Sequence, residues 1–337
     1  MDIREVISQK IVLILDPTST DNPELTDVNE FLAQFGGIVD EIALVAKAEN
    51  GRVTYRSAAA PADPGNEEFF PSFANLARDL GVKAHGVISA YGDTYMGQQY
   101  GYSLMRSGGQ EIRDFVCPSQ QAYTRYLATV AREVARQPVD SIILTEFFYP
   151  RNSFCFCRRC ARMFSDLTGQ SKDITFLEIS QNANLIRRYY DWRVEIVTSN
   201  LREIIESARS EKPNMECSVV IPVDPDTGWL EGAREQFGLD VFEITEQAPV
   251  NLIYHVMPFS LMYPAVDSPQ WNVLAERLTP NIQPKVKKSL FVWGLENEDR
   301  VPWLPPLAQR INAGLIFGRM DYPTLYSRKT EIHRGLG

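Results

Sequence analysis

Residues 118–146, PSQQAYTRYLATVAREVARQPVDSIILTE, join an amphipathic helix to a short apolar strand. The opening Pro118-Ser119 is typical of a helix start. The apolar side chains that follow recur at helical spacing on one face: Tyr123, Tyr126, Leu127, Val130, Ala131 and Val134. The run Val139–Leu144 then predicts a buried strand, and Glu146 lies two residues beyond it.

The same alternation of short apolar runs and helical stretches extends along the 337 residues. The predicted strands are Ile11–Leu15, Glu41–Ala46, Val82–Ala90, Val139–Leu144, Cys217–Ile221, Val250–Val256, Ser289–Trp293 and Gly314–Phe317. Other predicted helical segments are Asn29–Phe35, Phe73–Leu80, Leu185–Ser210, Gly238–Ala248, Trp271–Leu278, Leu304–Ala313 and Leu325–His333. Strands that alternate with helices imply a parallel sheet. No Gly-x-Gly-x-x-Gly or Walker motif follows a strand, so we expect a single-domain α/β protein, a closed (β/α)8 TIM barrel over residues 1–337.

Charge and hydropathy exclude several partners. The net charge of -9, without a basic patch, argues against nucleic acid and against an anionic membrane surface. The apolar run Ile11–Leu15 is too short for a signal peptide or a membrane span. We therefore expect a cytoplasmic protein. A homo-oligomer is allowed, because the sequence leaves the oligomeric state open.

The active site of such a barrel lies at the carboxyl ends of the strands. The residues that follow the predicted strands are mostly acidic or aromatic, with few cations. Carboxylates accept hydrogen bonds from hydroxyl groups, and aromatic rings stack on the C–H faces of sugars. We therefore expect a carbohydrate or another polyhydroxylated small molecule as substrate. The candidate binding residues are Asp16, Tyr91, Thr145, Tyr149, His255, Trp293, Arg319 and Asp321.

Two carboxylates on opposite sides of a barrel can flank one glycosidic bond. Glu146 follows the fourth predicted strand and Glu296 the seventh, with Glu298 as a rival for the second role. A retaining mechanism needs the carboxyl groups about 5–5.5 Å apart, one as acid/base and one as nucleophile. We favour Glu296 over Glu298 because it lies closer to the strand end. The structural alternative for Glu146 is a rim carboxylate paired with a cation. For Glu296 and Glu298 it is a solvated acidic loop.

The most specific local motif is Cys155-x-Cys157-x-x-Cys160. Three thiolates at this spacing can chelate one soft cation, and Cys117 is the best fourth ligand. We expect a structural zinc site with four cysteine ligands and no organic cofactor. Cys217 is expected to be a buried core thiol. The alternative is a group of reduced thiols without metal.

The segment from Cys117 through Glu146 to Cys160 resembles the family 42 glycoside hydrolases, the β-galactosidases. Members carry a Cys-x-Cys-x-x-Cys soon after the acid/base glutamate, and in some these cysteines and an upstream one bind zinc. The segment Phe291–Glu296 is similar to the family's nucleophile strand. At Thr145 this chain departs from the family, which has Asn there. The segments Asn50–Ser57 and Leu80–His85 resemble the glycosyl-hydrolase-like family 10 proteins.

The resemblance implies a retaining glycoside hydrolase with Glu146 as acid/base and Glu296 as nucleophile. One alternative is a glycosidase-like barrel that binds a carbohydrate without cleaving it. A metal-dependent hydrolase is disfavoured, because the three histidines, His85, His255 and His333, form no pair at ligand spacing.

Overall fold

The computed structural model describes residues 11–18, 41–170, 174–223, 230–256, 276, 286–293 and 314–318. Ten strands are described: β1 Ile11–Leu15, β2 Glu41–Lys47, β3 Lys83–Ser89, β4 Ser103–Met105, β5 Glu111–Val116, β6 Ser141–Thr145, β7 Glu216–Val223, β8 Asn251–Val256, β9 Lys288–Trp293 and β10 Gly314–Gly318. The helices are α1 Phe69–Asp79, α2 Thr94–Tyr100, α3 Gln121–Ala135, α4 Arg158–Thr168, α5 Phe176–Ser180, α6 Ala183–Glu211, α7 Leu230–Phe237 and α8 Val241–Gln247.

The predicted α/β architecture with a parallel sheet is confirmed. Eight strands pair in the order β1-β10-β9-β8-β7-β6-β3-β2, and β2 pairs back with β1, so the ring closes. Every one of these pairings is parallel, which excludes tight hairpin turns between neighbouring strands of the ring. The predicted helices over 29–35, 304–313 and 325–333 lie outside the described residues, as does the predicted helix over 271–278 apart from residue 276.

Two apolar layers hold the barrel together. The larger core lies between the strands and their helices, where α3 presents Tyr123, Leu127, Val130, Ala131 and Val134 with at most 1% exposure. A second cluster fills the ring from alternate strand positions: Val12, Ala43, Val45, Val87, Ile143, Val220 and Ile253. Side chains alternate between the two faces of a strand. The residue two positions after each of these therefore also points into the ring, and the last such residue of each strand lies at the carboxyl mouth.

The two short strands β4 and β5 form an antiparallel hairpin that sequence analysis did not predict. The hairpin lies between β3 and α3, and a bridge from Gly92 to Phe115 ties it to the end of β3. Cys117 follows β5 directly, so the hairpin carries one of the predicted metal ligands to the carboxyl face of the barrel.

The amino-terminal mouth of the ring is polar. The ring nitrogens of His85 lie 2.6 Å from Ser141 Oγ and 2.8 Å from Glu41 Oε2, which links β6, β3 and β2. At this end of a barrel, such a network contributes to stability. Among the described helices, none combines the length and apolarity needed to cross a bilayer.

Candidate active site and cysteine cluster

Glu146 lies immediately after β6, at the carboxyl mouth of the ring. Its backbone has φ 47°, the left-handed region that residues with a side chain rarely adopt. Hydrogen bonds hold this conformation, because Ala90 N donates to Thr145 O at 2.9 Å and Tyr91 N donates to Glu146 O at 3.1 Å. Strain of this kind concentrates at functional sites, so the backbone itself marks Glu146 as a candidate.

The surroundings of Glu146 favour its protonated form. Partial burial, followed by the negative charge of Glu49, raises the pKa of Glu146 to about 7. Hydrogen bonds from Thr145 and Ser89 and the charge of Lys47 act in the opposite direction. A carboxyl group that titrates near neutral pH can both donate and accept a proton at that pH, as a general acid/base must.

A buried ion pair lies beside this carboxyl group. Lys47 Nζ is 3.0 Å from Asp93 Oδ2, and neither side chain is exposed. Lys47 also donates to Ser89 O at 2.8 Å and to Gly92 O at 3.3 Å. Asp93 accepts from Met96 N at 2.8 Å, which caps α2, and from Tyr123 Oη at 3.0 Å. The pair thus fixes the ends of β2 and β3 against α2 and α3.

Two glycines make room for these acidic side chains. A methyl group on Gly51, which has φ 85°, would lie 2.1 Å from Asp93 Oδ1. A methyl group on Gly92 would lie 2.7 Å from Ser89 Oγ, 3.3 Å from Glu146 Cγ and 3.4 Å from Glu49 Cγ. Sequence analysis missed Lys47 and Glu49, although both closely follow an apolar strand.

The structure brings Thr145 and His255 to the same mouth as Glu146. Thr145 is the last residue of β6 and hydrogen-bonds with Glu146. His255 shares a strand face with Ile253, which points into the ring. Burial lowers the pKa of His255 to about 4, so the imidazole is neutral at pH 7. Asp16 follows β1 and accepts hydrogen bonds from the backbone and hydroxyl of Thr18 at 2.9 and 2.7 Å.

The tyrosines predicted to bind substrate are interior residues instead. Tyr91 and Tyr149 are both 0% exposed. The Tyr91 ring stacks on Phe147 at 4.9 Å, and its hydroxyl accepts from Asn200 at 2.9 Å. The guanidinium of Arg193 lies 4.4 Å from the centre of the Tyr149 ring. Neither ring has a free face for a sugar. Both tyrosines come after a strand end, but their side chains turn inward into the core.

For the remaining predicted site residues, the structure describes at most the backbone. Trp293 ends β9, where its backbone pairs with Gly318. Glu296, Glu298, Arg319 and Asp321 lie outside the described residues. The distance from Glu146 to its predicted partner carboxylate therefore stays a prediction.

The four predicted cysteines form one cluster. The Sγ atoms of Cys117, Cys155, Cys157 and Cys160 all lie within 4.8 Å of one another. The Cys117–Cys160 and Cys117–Cys157 Sγ separations are 3.3 and 3.9 Å. A tetrahedral zinc with bonds of about 2.3 Å needs thiolate sulfurs about 3.8 Å apart, so the donor set fits such an ion. Cys160 lies in the first turn of α4.

Polar groups around the cluster suit a bound cation. The backbone N–H groups of Met105 and Cys157 each donate to Cys155 Sγ at 3.4 Å, and Ser119 Oγ lies 3.1 Å from both Cys117 and Cys160. Donors of this kind stabilise thiolates and orient them. Cys217, on β7, is 3% exposed and lies outside this cluster, which confirms the prediction of a buried core thiol.

The fold is that of known glycoside hydrolases. The chain is similar to the PgaB (BpsB) glycoside hydrolase domain from Bordetella bronchiseptica, with TM-score 0.70 and 10% identity over 97% of this chain and 98% of that one. It is also similar to the catalytic domain of β-amylase from Paenibacillus polymyxa, with TM-score 0.62 and 10% identity over 97% and 98% of the two chains.

A β-galactosidase from Bacillus circulans sp. alkalophilus matches 92% of this chain with TM-score 0.62 and 11% identity. The match covers 50% of that chain, so this chain spans about half the length of that enzyme. No protein-family model and no curated protein sequence matches this chain. At such low identities the likeness concerns the fold, and it confirms the expected resemblance to barrels of the glycosidase type.

Proposed function

We propose that this protein is a retaining glycoside hydrolase in which Glu146 is the acid/base and Glu296 the nucleophile, with Glu298 as the alternative nucleophile. The observation that carries the proposal is a carboxyl group at the mouth of a barrel, on a strained backbone, with a pKa of about 7. The glycoside hydrolase fold of its structural neighbours supports a carbohydrate substrate.

The first step is a proton transfer coupled to bond cleavage. The protonated Glu146 carboxyl group donates its proton to the glycosidic oxygen as the bond to the anomeric carbon breaks, and the nucleophile carboxylate takes that carbon. In the second step the Glu146 carboxylate accepts a proton from water, whose oxygen displaces the nucleophile. Thr145 and Ser89 lie beside the acid and favour its charged form, and neutral His255 at the same mouth can donate to a sugar hydroxyl.

We further propose a structural zinc held by Cys117, Cys155, Cys157 and Cys160. When bound, the ion would supply cross-linking and no chemistry of its own, because four cysteine ligands leave no open position for water. It would join the end of the hairpin β4–β5 to the loop that follows Glu146 and to the first turn of α4. We take residues 1–337 as one barrel domain.

Kinetics of Glu146→Gln test the acid role. General acid–base catalysis contributes about 10²–10⁴-fold, so kcat should fall by that factor on glycosides with sugar leaving groups. On aryl glycosides whose phenol has a low pKa, the first step needs no proton and should fall much less. Glu246→Gln is the control, since it removes an equal charge at an exposed position on α8.

Two results would contradict the proposal. Equal losses on both classes of leaving group would remove the acid role from Glu146, and full activity in Glu146→Gln would remove its catalytic role altogether. The anomer first released, read by NMR, decides between retention and inversion. Binding of sugars with no turnover in the wild type would favour the non-catalytic barrel.

A further inference from the structure

Arg193 on α6 is a buried cation without an acidic partner. Lys47 and Arg193 are the two basic side chains with 0% exposure among the described residues. Lys47 has the carboxylate of Asp93 at 3.0 Å, whereas no carboxylate in the described part of the chain pairs with Arg193. A charge removed from water without an opposite charge nearby is costly. The fold must therefore compensate the charge of Arg193 in another way.

Backbone carbonyl groups provide a part of that compensation. Arg193 Nη1 donates to Glu235 O at 2.9 Å, and Nη2 donates to Gln236 O at 2.8 Å and to Arg151 O at 2.9 Å. Glu235 and Gln236 belong to the last turn of α7, and the carbonyl end of a helix carries about half of one negative charge. Arg193 Nε has no hydrogen-bond partner in the described residues. These contacts thus leave part of the positive charge without an opposite charge.

An aromatic layer connects the guanidinium to the cysteine cluster. Arg193 Cζ is 4.4 Å from the centre of the Tyr149 ring and 5.4 Å from that of the Tyr189 ring. The Tyr189 ring lies 5.5 Å from the ring of Phe156, the residue between the first two cysteines of the motif. Tyr189 Oη also donates to the carbonyl of Phe154, just before that motif, at 2.6 Å. Tyr189 therefore contacts both the guanidinium and the segment that carries the cysteines.

The cysteine cluster with zinc bound would be a buried anion. Four thiolates around one zinc(II) ion leave two net negative charges, and three of the four cysteines are at most 1% exposed. Burial lowers the pKa of Arg193, and negative charge on the neighbouring tyrosines and on Cys155 acts in the opposite direction. The arginines within the motif, Arg158 and Arg159, are exposed, so water and salt screen their charges. Among the described residues, Arg193 is therefore the buried cation best placed to balance this anion.

We propose that Arg193 is the counter-charge of the zinc site: its guanidinium, fixed by the carbonyls of α7, stabilises the anionic zinc–thiolate group across the tyrosine rings. This role rests on the zinc part of the proposed function and does not require glycosidase activity. Arg193 also holds Arg151 O, in the loop between Glu146 and the motif. The same side chain therefore ties the metal site to the segment that follows the candidate acid.

Zinc affinity measures this role without any substrate. The purified full chain competes with a zinc-binding chromophore, and the competition gives the dissociation constant of zinc. Loss of an outer contact to a metal site costs about 10–100-fold in metal affinity, so Arg193→Gln should weaken zinc binding by that factor. Arg193→Lys keeps the charge and should bind zinc more tightly than Arg193→Gln. The control Arg187→Gln removes an equal charge at an exposed position of the same helix and should leave the dissociation constant unchanged.

Two further measurements separate a charge effect from a loss of structure. Cobalt(II) in place of zinc should give the same tetrathiolate absorption bands in Arg193→Gln as in the wild type, because the four ligands remain. Urea unfolding at a low and a high concentration of free zinc should show that Arg193→Gln gains less stability from zinc than the wild type does.

Equal zinc dissociation constants in the wild type and Arg193→Gln would overturn the proposal, because an arginine that only holds carbonyl groups has no effect on the metal. Altered cobalt bands in Arg193→Gln would assign the loss to displaced ligands and would overturn it as well. Should Arg193→Gln fail to fold, Arg193→Lys decides, since zinc binding about tenfold weaker in a variant that keeps the charge contradicts a charge effect. A folded wild type that binds no zinc would refute the zinc site itself, and the counter-charge with it.

Discussion

Replacing Lys47 by Met should destabilise the protein far more than a surface lysine replacement does. The substitution removes the partner of Asp93, whose carboxylate lies 3.0 Å away with both side chains at 0% exposure. It also leaves the carbonyl oxygens of Ser89 and Gly92 without the ammonium donor that they have at 2.8 and 3.3 Å. Asp93 keeps its hydrogen bonds from Met96 N and Tyr123 Oη.

A buried charge that loses its partner costs about 3–5 kcal/mol, because the desolvation of the remaining ion is no longer compensated. We expect a loss of that size in the free energy of unfolding for Lys47→Met. The combination Lys47→Met with Asp93→Asn leaves no unpaired charge and keeps a cap acceptor for α2, so it should recover about 2 kcal/mol of the loss.

Urea unfolding at pH 7, followed by circular dichroism and extrapolated linearly to water, measures these differences. Lys287→Met is the matched control, because Lys287 lies 2.6 Å from Glu216 but the two side chains are 66% and 52% exposed. An exposed pair contributes about 0–1 kcal/mol. The reasoning fails if the two lysine variants lose equal stability, or if the double variant is no more stable than Lys47→Met alone.

Three further predictions follow from the same contacts. Folding raises the pKa of Glu146 from 4.5 to about 7, so the native state loses stability as pH rises through that range. Glu146→Gln should therefore be more stable than the wild type above pH 7 and should show no gain in stability below pH 4.5. Urea unfolding at a series of pH values measures this difference. Purified protein should carry one zinc per chain by elemental analysis, Cys157→Ser should lose it and Cys217→Ser should keep it; a folded wild-type protein without metal would refute the site. Arg193→Lys should cost about 2 kcal/mol in the free energy of unfolding, since a lysine cannot reproduce the fork that donates to the carbonyls of Arg151, Glu235 and Gln236; a loss below about 0.5 kcal/mol would contradict it.

The sequence predicted the fold well because each strand and helix carries its own hydrophobic pattern. The helix with Tyr123 and Val134 on its apolar face and the strand before Glu146 lie within two or three residues of where they were expected. The hairpin β4–β5 was missed because its strand Glu111–Val116 is largely polar and exposed, so it gives no apolar run. The burial of Tyr91 and Tyr149 was also missed, since the sequence of an aromatic residue after a strand does not show whether its side chain faces solvent or a helix.

By itself the sequence determined the parallel α/β fold, the position of Glu146 at a strand end and the four cysteines that approach one another. These features depend on local periodicity and spacing, which a chain carries in any conformation. Only the tertiary structure decided that Glu49 shares the space above Gly92 with Glu146 and that Lys47 is neutralised by Asp93. Those relations join residues 97 and 46 positions apart, and closure of the ring, not sequence spacing, brings their charges close enough to alter a pKa.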